Sequence, residues 1–193
     1  MLVLASASPR RKELLERIGV PLAVRPADVD ESQAPDEAPL AYVQRIARAK
    51  AAAVTVDASA YVLAADTIVE LDGRVFGKAA DAAEARAMLA ALRGQRHRVV
   101  TAWVLRGPKS AEGLVTSEVD MVAASDAELD DYVASGEWRG KAGAYAVQGI
   151  GAALVAAVHG SITNVIGLPL AEVAAALRSA GAPAPRYAQG HPQ

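Results

Sequence analysis

The chain has 193 residues, of which 52% are hydrophobic and 22% charged, a balance that is ordinary for a soluble globular protein of one fairly large domain or two small lobes. Its formal net charge of −2 excludes bulk electrostatic attraction to nucleic acid or to a membrane surface, but it permits a local basic pocket for a small anion. The absence of cysteine excludes disulfides, thiolate zinc sites and cysteine nucleophiles, and the sequence has neither a signal-peptide pattern nor an apolar run of membrane-spanning length, so we expect a cytoplasmic protein.

The first predicted elements are a buried strand over residues 2–5 and a helix over residues 9–18, separated by a turn. Ser8 is suited to the N-cap, and the run Arg10-Arg11-Lys12 then falls in the first helical turn. The helix N-terminus already carries about half a positive elementary charge, so further cations there predict a bound anion, and phosphate in particular. The alternative is a solvated basic surface at the start of a helix.

A short strand over residues 22–25 and an acidic, proline-bearing loop over residues 28–39 come next, and Glu31 lies in that loop. Helical periodicity then predicts a helix over residues 40–54. Lys50 falls on the apolar face of this helix, so its ammonium is predicted to point along the buried side, toward a carboxylate or a phosphate. A lysine whose ammonium extends to solvent is the alternative.

An apolar strand over residues 61–65 is predicted to end at Asp66-Thr67. A carboxylate at the end of a core strand favours a catalytic or metal-binding role, and an aspartate that caps a turn is the alternative. Glu31 offers a second carboxylate, and Lys78 offers a further cation. Such oxygen ligands suit Mg²⁺ or Mn²⁺, held through one or two carboxylates and the phosphates of a substrate.

The rest of the chain alternates between strands and helices. We predict a hairpin at residues 71–74, helices over 81–93, 125–134 and 169–180, strands over 97–106, 114–123 and 152–158, a glycine-rich segment over 140–151 and a frayed tail from residue 181. This order predicts an α/β or α+β fold with a mixed sheet. Two nucleotide motifs are excluded: residues 73–79 lack the spacing and the Ser or Thr of a P-loop, and residues 149–151 lack the third glycine of a dinucleotide fingerprint.

Several motifs together resemble the Maf family of nucleoside triphosphate pyrophosphatases. They are, in chain order, residues 5–15 (Ala-Ser-Ala-Ser-Pro-Arg-Arg-Lys-Glu-Leu-Leu), 45–51, 65–69, 77–78, 94–101, 132–137, 141–145, 148–149 and 164–170. The resemblance spans residues 1–180. It implies one domain with two lobes around a cleft. Residues 181–193, which bear proline and glycine, are predicted to form a flexible tail. The implied fold is α/β, an elongated mixed sheet flanked by helices and similar to the inosine-triphosphate pyrophosphatases.

The resemblance also implies a reaction and assigns residues to it. A nucleoside triphosphate is hydrolysed between its α and β phosphates to the monophosphate and pyrophosphate, and Asp66 is the proton acceptor for the attacking water. The other matched site positions are Ser8, Arg11, Glu31, Lys50 and Lys78. The positions linked to base specificity are matched by Arg10, Thr67 and Gln148. A lone carboxylate is a weak base, so we expect a divalent cation, Mg²⁺ or Mn²⁺, with Glu31 and Asp66 as its ligands, to acidify the water.

Substrate choice rests on the pair Asp66-Thr67, which resembles the subgroup that acts on dTTP and UTP; the subgroup that acts on 7-methyl-GTP has Asp-Gln there. Two departures from the family pattern stand near the site: Ala79 replaces a proline, and Ala146-Val147 replaces Gly-Ile. Two alternatives stay open, namely the same chemistry on modified nucleotides such as 7-methyl-GTP, and a nucleotide-binding regulator of cell division with little turnover. The family is associated with septum formation, and it further implies a homodimer.

Overall fold

The computed structural model describes residues 1–187, in which helices and strands alternate. The helices are α1 (Pro9–Arg17), α2 (Pro39–Ala53), α3 (Ala82–Leu92), α4 (Asp126–Ser135), α5 (Ile162–Ile166) and α6 (Leu170–Ala180), with a 3₁₀ helix at Ile150–Leu154. The strands are β1 (Leu2–Leu4), β2 (Ala23–Val24), β3 (Tyr61–Leu71), β4 (Arg74–Phe76), β5 (Arg96–Arg106), β6 (Ala111–Met121) and β7 (Val155–His159). None of the described helices has the length and apolar character needed to cross a membrane.

Within residues 1–187 the strands form a seven-stranded mixed sheet in the order β2-β1-β3-β5-β6-β7, with β4 paired to β3. Strand β1 is parallel to both β2 and β3, whereas β4 is antiparallel to β3 and β7 is antiparallel to β6. The mixed α/β class predicted from the sequence is therefore confirmed. The two long strands β5 and β6 are neighbours.

The described chain divides into two compact units. The first contains residues 1–66, 101–115 and 167–187. Its core includes buried residues of β1, α2 and β3 and their flanks, namely Val3, Ala5, Ala51, Val54, Val62 and Ala64. The second contains residues 67–100 and 116–166, and its core packs α3 and α4 against the strands of that unit.

Short-range signals account for several boundaries. Asp81 caps α3 by accepting a hydrogen bond from the N–H of Glu84, and Ser125 caps α4 in a reciprocal capping box. Asp72 and Gly73 both have positive φ, which the two-residue turn between β3 and β4 requires. The predicted hairpin and both helix starts are therefore confirmed.

Two strand predictions are wrong. Strand β3 does not end at Asp66 but continues to Leu71, because the polar pair is followed by further apolar, buried residues. The strand predicted over residues 152–158 is instead a 3₁₀ helix as far as Leu154, followed by β7. Helix α5 is an additional element that the sequence patterns did not predict.

The segment after α6 is attached to the first unit as far as it is described. Gly181 ends α6 with φ of 72°, and the N–H of Ala182 donates to the carbonyl of Leu177 at 3.0 Å. The N–H of Arg186 donates to the carbonyl of Ile18 at 3.0 Å. Residues 188–193 of the predicted tail lie outside the described residues.

One buried histidine in the second unit gives the fold a predicted pH dependence. His97 is 1% exposed, its Nε2 lies 2.8 Å from the hydroxyl of Tyr145, and burial lowers its pKa from 6.5 to about 4. Because the unfolded chain takes up this proton below pH 6.5 and the folded chain only near pH 4, this histidine removes stability as the pH falls through that window, by about 3 kcal/mol at most.

We expect the variant His97→Gln to lose less stability on acidification than the unsubstituted chain, since glutamine keeps a hydrogen-bonding group beside Tyr145 and does not titrate. Urea unfolding between pH 4.5 and pH 7.5 measures both slopes. Parallel slopes for the two proteins would contradict the assignment.

Candidate active site

The turn after β1 and the middle of β3 lie close together in the first unit. β1 and β3 are parallel, Leu4 pairs with Leu63, and the N–H of Ala5 donates to the carbonyl of Leu63 at 2.8 Å. This register brings the start of α1 toward Asp66, and the charge of Asp66 acts on Arg11. The cationic turn and the candidate catalytic carboxylate are thus in one neighbourhood.

The ammonium of Lys50 joins the two carboxylates of the site. Its Nζ lies 2.8 Å from Oδ1 of Asp66 and 2.8 Å from Oε1 of Glu31. The side chains of Lys50 and Asp66 are only 7% and 10% exposed, whereas that of Glu31 is 42% exposed. Lys50 is therefore buried as predicted, and its partners in this structure are carboxylates, as burial of a charge requires.

Helix α2 also fixes the acidic loop that carries Glu31. The hydroxyl of Tyr42 donates to the backbone carbonyl of Glu31 at 2.7 Å. Arg45 donates to both carboxylate oxygens of Glu37 at 2.7 Å and to the carbonyl of Ser32 at 2.9 Å. Burial raises the pKa of the Tyr42 hydroxyl, and the charges of Asp66 and Glu31 raise it further, so this hydroxyl stays a donor.

Arg11 is held in place by the first unit. It is 8% exposed, its Nε donates to the carbonyl of Gly167 at 2.8 Å, and a terminal nitrogen donates to Oγ of Ser6 at 3.1 Å. Burial lowers the pKa of its guanidinium, and the charges of Asp66 and Glu31 oppose that shift. A guanidinium nonetheless keeps its charge in proteins, so Arg11 is a fixed cation beside the carboxylates.

Ser8 and Arg10 occupy the start of α1. Ser8 has the N-cap position, as predicted, but its side chain makes no capping hydrogen bond. Its N–H instead donates to Oγ of Ser6 at 3.2 Å. Arg10 is half-buried, and this burial lowers the pKa of its guanidinium.

The carboxylates of Asp66 and Glu31 suit a small divalent cation whose other ligands are supplied by water and substrate. No group of three or more Asp, Glu, His or Cys side chains with metal-binding geometry occurs in residues 1–187. Asp66 and Glu31 nevertheless meet at one ammonium, and Mg²⁺ is commonly held by one or two carboxylates together with phosphate oxygens. These two residues would hold the cation.

Lys78 belongs to the second unit, where its backbone is paired with a strained loop. Lys78 forms an isolated antiparallel bridge with Ala142, and the N–H of Gly143 donates to the carbonyl of Gly77 at 3.1 Å. Gly143 has φ of 67°, and a Cβ there would lie 2.9 Å from Cγ2 of Val69. Ala144 follows with φ of 60°, a conformation that costs a non-glycine residue about 1 kcal/mol or more.

The remaining sequence-predicted residues, Thr67 and Gln148, are also in the second unit. Thr67 is half-buried in β3, directly after Asp66. Gln148 is exposed, between a buried stretch that ends at Ala146 and the start of the 3₁₀ helix. Three of the residues predicted from the sequence are in direct contact, since Lys50 contacts both Glu31 and Asp66.

Sequence reasoning missed several residues that shape the first unit's site. Ser6 lies in the same motif as Ser8, and spacing alone did not reveal which serine contacts Arg11. Gly167 contributes a backbone carbonyl, which leaves no sequence signal. Tyr42 could have been found, because it lies on a helix that adjoins an acidic loop and carries a basic residue three positions on.

Comparisons with known proteins agree with the motifs. The family model described as "Maf-like protein" matches residues 1–180. A protein of Anaeromyxobacter dehalogenans named dTTP/UTP pyrophosphatase is 55% identical over 189 residues, which cover 95% of this chain and 96% of that protein. A protein of the same name from Cereibacter sphaeroides is 50% identical over 189 residues, covering 97% of this chain and 98% of that protein.

Among solved structures, the Staphylococcus aureus Ham1 protein aligns with a TM-score of 0.42 and 20% identity, covering 64% of this chain and 72% of that chain. The family itself is established by the family model and by the two relatives. The resemblance predicted from the sequence is confirmed, and the chain belongs to the Maf family.

Proposed function

We propose that this chain hydrolyses dTTP and UTP between the α and β phosphates, releasing the nucleoside monophosphate and pyrophosphate. The observation that carries the proposal is the buried carboxylate of Asp66, held 2.8 Å from the ammonium of Lys50 and in the field of Arg11. The name of the relatives supports both the chemistry and the two substrates. Thr67, directly after Asp66, supports the same subgroup.

The positive charges of Lys50 and Arg11 near Asp66 suit the binding of a polyphosphate. Attack of water on the α-phosphorus develops charge on the equatorial and leaving oxygens, so catalysis depends on positioned positive charge. Arg11 is already oriented by Ser6 and Gly167, so little reorganisation is needed when an anion arrives. The resemblance also matches Ser8 and Lys78 to site positions of the family.

The proton of the attacking water passes to the carboxylate of Asp66. Lys50 orients that carboxylate through its hydrogen bond to Oδ1, and its charge also favours the developing negative charge of the phosphate. A divalent cation bound by Asp66 and Glu31 would supply acidification of the bound water and neutralisation of phosphate charge.

Base selection is proposed to fall on Arg10, Thr67 and Gln148, which match the family's specificity positions. A single catalytic domain over residues 1–180, a homodimer and a cytoplasmic location stay predictions from the sequence.

A nucleotide panel with Mg²⁺ or Mn²⁺, read out as pyrophosphate release, tests the proposal. We expect dTTP and UTP to be turned over more than about tenfold faster than CTP, ITP or 7-methyl-GTP, since a pocket built to hydrogen-bond one base leaves polar groups unpaired with another. Faster release from 7-methyl-GTP would assign the same chemistry to a modified base. Nucleotide binding without pyrophosphate release would favour the regulator.

A further inference from the structure

The carboxylate of Glu137 accepts three hydrogen bonds within the second unit, and none of the sequence motifs assigns this residue a role. Its carboxylate accepts hydrogen bonds from the backbone N–H of Ile150 at 2.9 Å, from the N–H of Gly151 at 2.8 Å and from the hydroxyl of Tyr132 at 3.0 Å. These two amides begin the 3₁₀ helix, so one side chain satisfies donors that the helix itself leaves unpaired.

The charge of Glu137 strengthens these contacts. Burial alone raises the pKa of Glu137, but the hydrogen bonds from Gly151, Ile150 and Tyr132 outweigh burial and hold the pKa below its usual value. Burial and the neighbouring carboxylate raise the pKa of Tyr132, so its hydroxyl remains a donor. Hydrogen bonds to an ionised acceptor are shorter and stronger than those between neutral groups.

Two glycines allow the loop to close on the carboxylate. A Cβ at Gly149 would lie 1.8 Å from Oε1 of Glu137, and a Cβ at Gly151 would lie 2.8 Å from both the hydroxyl of Tyr132 and the carbonyl of Ala146. No other residue type fits at Gly149 without displacing Glu137. The backbone on the C-terminal side of Gln148 is therefore fixed against Glu137 and against Tyr132 of α4.

The support of Glu137 is itself rigid. Tyr132 lies on α4 and is 6% exposed, and Gly136 ends that helix with φ of 72° immediately before Glu137. The ammonium of Lys141 donates to the backbone carbonyl of Glu137. The position of the carboxylate is thus determined by a packed helix rather than by the exposed loop that it holds.

We propose that Glu137 is a positioning residue for base selection: by holding the amides of Ile150 and Gly151, it fixes the backbone that carries the exposed side chain of Gln148. This inference rests on the proposed function, because Gln148 is assigned to the base through the family resemblance. A residue two positions from a fixed amide has fewer backbone conformations, so part of the backbone entropy of ordering Gln148 is already lost before the nucleotide binds.

The test uses Glu137→Gln, which keeps the shape of the side chain and removes its charge. Two quantities are measured: the hydrogen-exchange rates of the Ile150 and Gly151 amides, and the dissociation constants of non-hydrolysable UTP and CTP analogues. We expect the exchange rates to rise by about tenfold and the ratio of the CTP to the UTP dissociation constant to fall by about fivefold. We expect Gly149→Ala to change both quantities in the same direction.

The matched control is Glu128→Gln, which also removes a carboxylate that accepts a backbone hydrogen bond, at the start of α4. This control should lower thermal stability without changing the nucleotide ratio. An unchanged ratio in Glu137→Gln, despite faster amide exchange, would overturn the positioning role. If the unsubstituted chain binds UTP without hydrolysing it, the proposed function fails, and the ratio of dissociation constants still decides the role of Glu137.

Discussion

Replacing Asp66 with asparagine is expected to lower kcat for UTP by about 10²- to 10⁴-fold, the usual contribution of a positioned general base. Asparagine is nearly isosteric with aspartate and keeps an oxygen that accepts the hydrogen bond from Lys50, but it takes up no proton from water. The loss should therefore appear in kcat, with a smaller change in the KM for UTP.

The control for this variant is Asp72→Asn, which removes the same charge at an exposed turn between β3 and β4. Asparagine also tolerates the positive φ of that position, so activity and fold should be retained. Steady-state pyrophosphate release from UTP, together with circular dichroism of both variants, makes the comparison. Full activity in Asp66→Asn would remove Asp66 from its assigned role.

The second large effect concerns stability. Replacing Lys50 with methionine leaves the buried carboxylate of Asp66 beside that of Glu31 with no ammonium between them. Breaking a buried ion pair by removing one partner typically costs about 3–5 kcal/mol, because the remaining charge stays desolvated. We also expect kcat to fall by about 10²-fold or more, since a fixed cation near the reacting phosphate is lost.

Urea unfolding of Lys50→Met measures the loss of stability. Lys109→Met, at an exposed position, removes the same charge and should change the free energy of unfolding by less than about 0.5 kcal/mol. The double variant Lys50→Met/Asp66→Asn should recover part of the stability lost in Lys50→Met, because Asp66→Asn removes the buried carboxylate that Lys50→Met leaves unpaired. Equal stability of Lys50→Met and the unsubstituted chain would contradict the buried pair.

The sequence predicted the burial of Lys50 on α2 correctly, but it misplaced the end of β3 at Asp66. The period of α2 placed Lys50 on the apolar face, and this burial is a local property that periodicity reports directly. Its carboxylate partners come from β3 and from the loop before α2, and contacts between such separate elements are not encoded in any short segment. The same limit explains why the boundary of β3 was misplaced: two polar residues resemble a strand end, yet Asp66 is tolerated inside the strand because Lys50 pairs with it.

The second unit shows where single-sequence reasoning fails for a different reason. The apolar run at residues 152–158 satisfies the pattern of a strand, but its first half is held in a 3₁₀ helix by Glu137, which lies thirteen positions before Ile150. In the sequence, Glu137 follows a helix-ending glycine, a position typical of an exposed surface residue. Only the folded backbone brings its carboxylate to the two amides, so no pattern of neighbouring residues predicts the contact.

The position of a labelled oxygen shows directly whether water attacks the α-phosphorus of UTP. UTP is incubated with the chain and Mg²⁺ or Mn²⁺ in ¹⁸O-water, and the products are resolved by mass spectrometry. We predict UMP that carries one ¹⁸O and pyrophosphate that carries none, because water attacks the α-phosphorus and pyrophosphate leaves. Label in the pyrophosphate, or release of UDP and inorganic phosphate, would contradict the account.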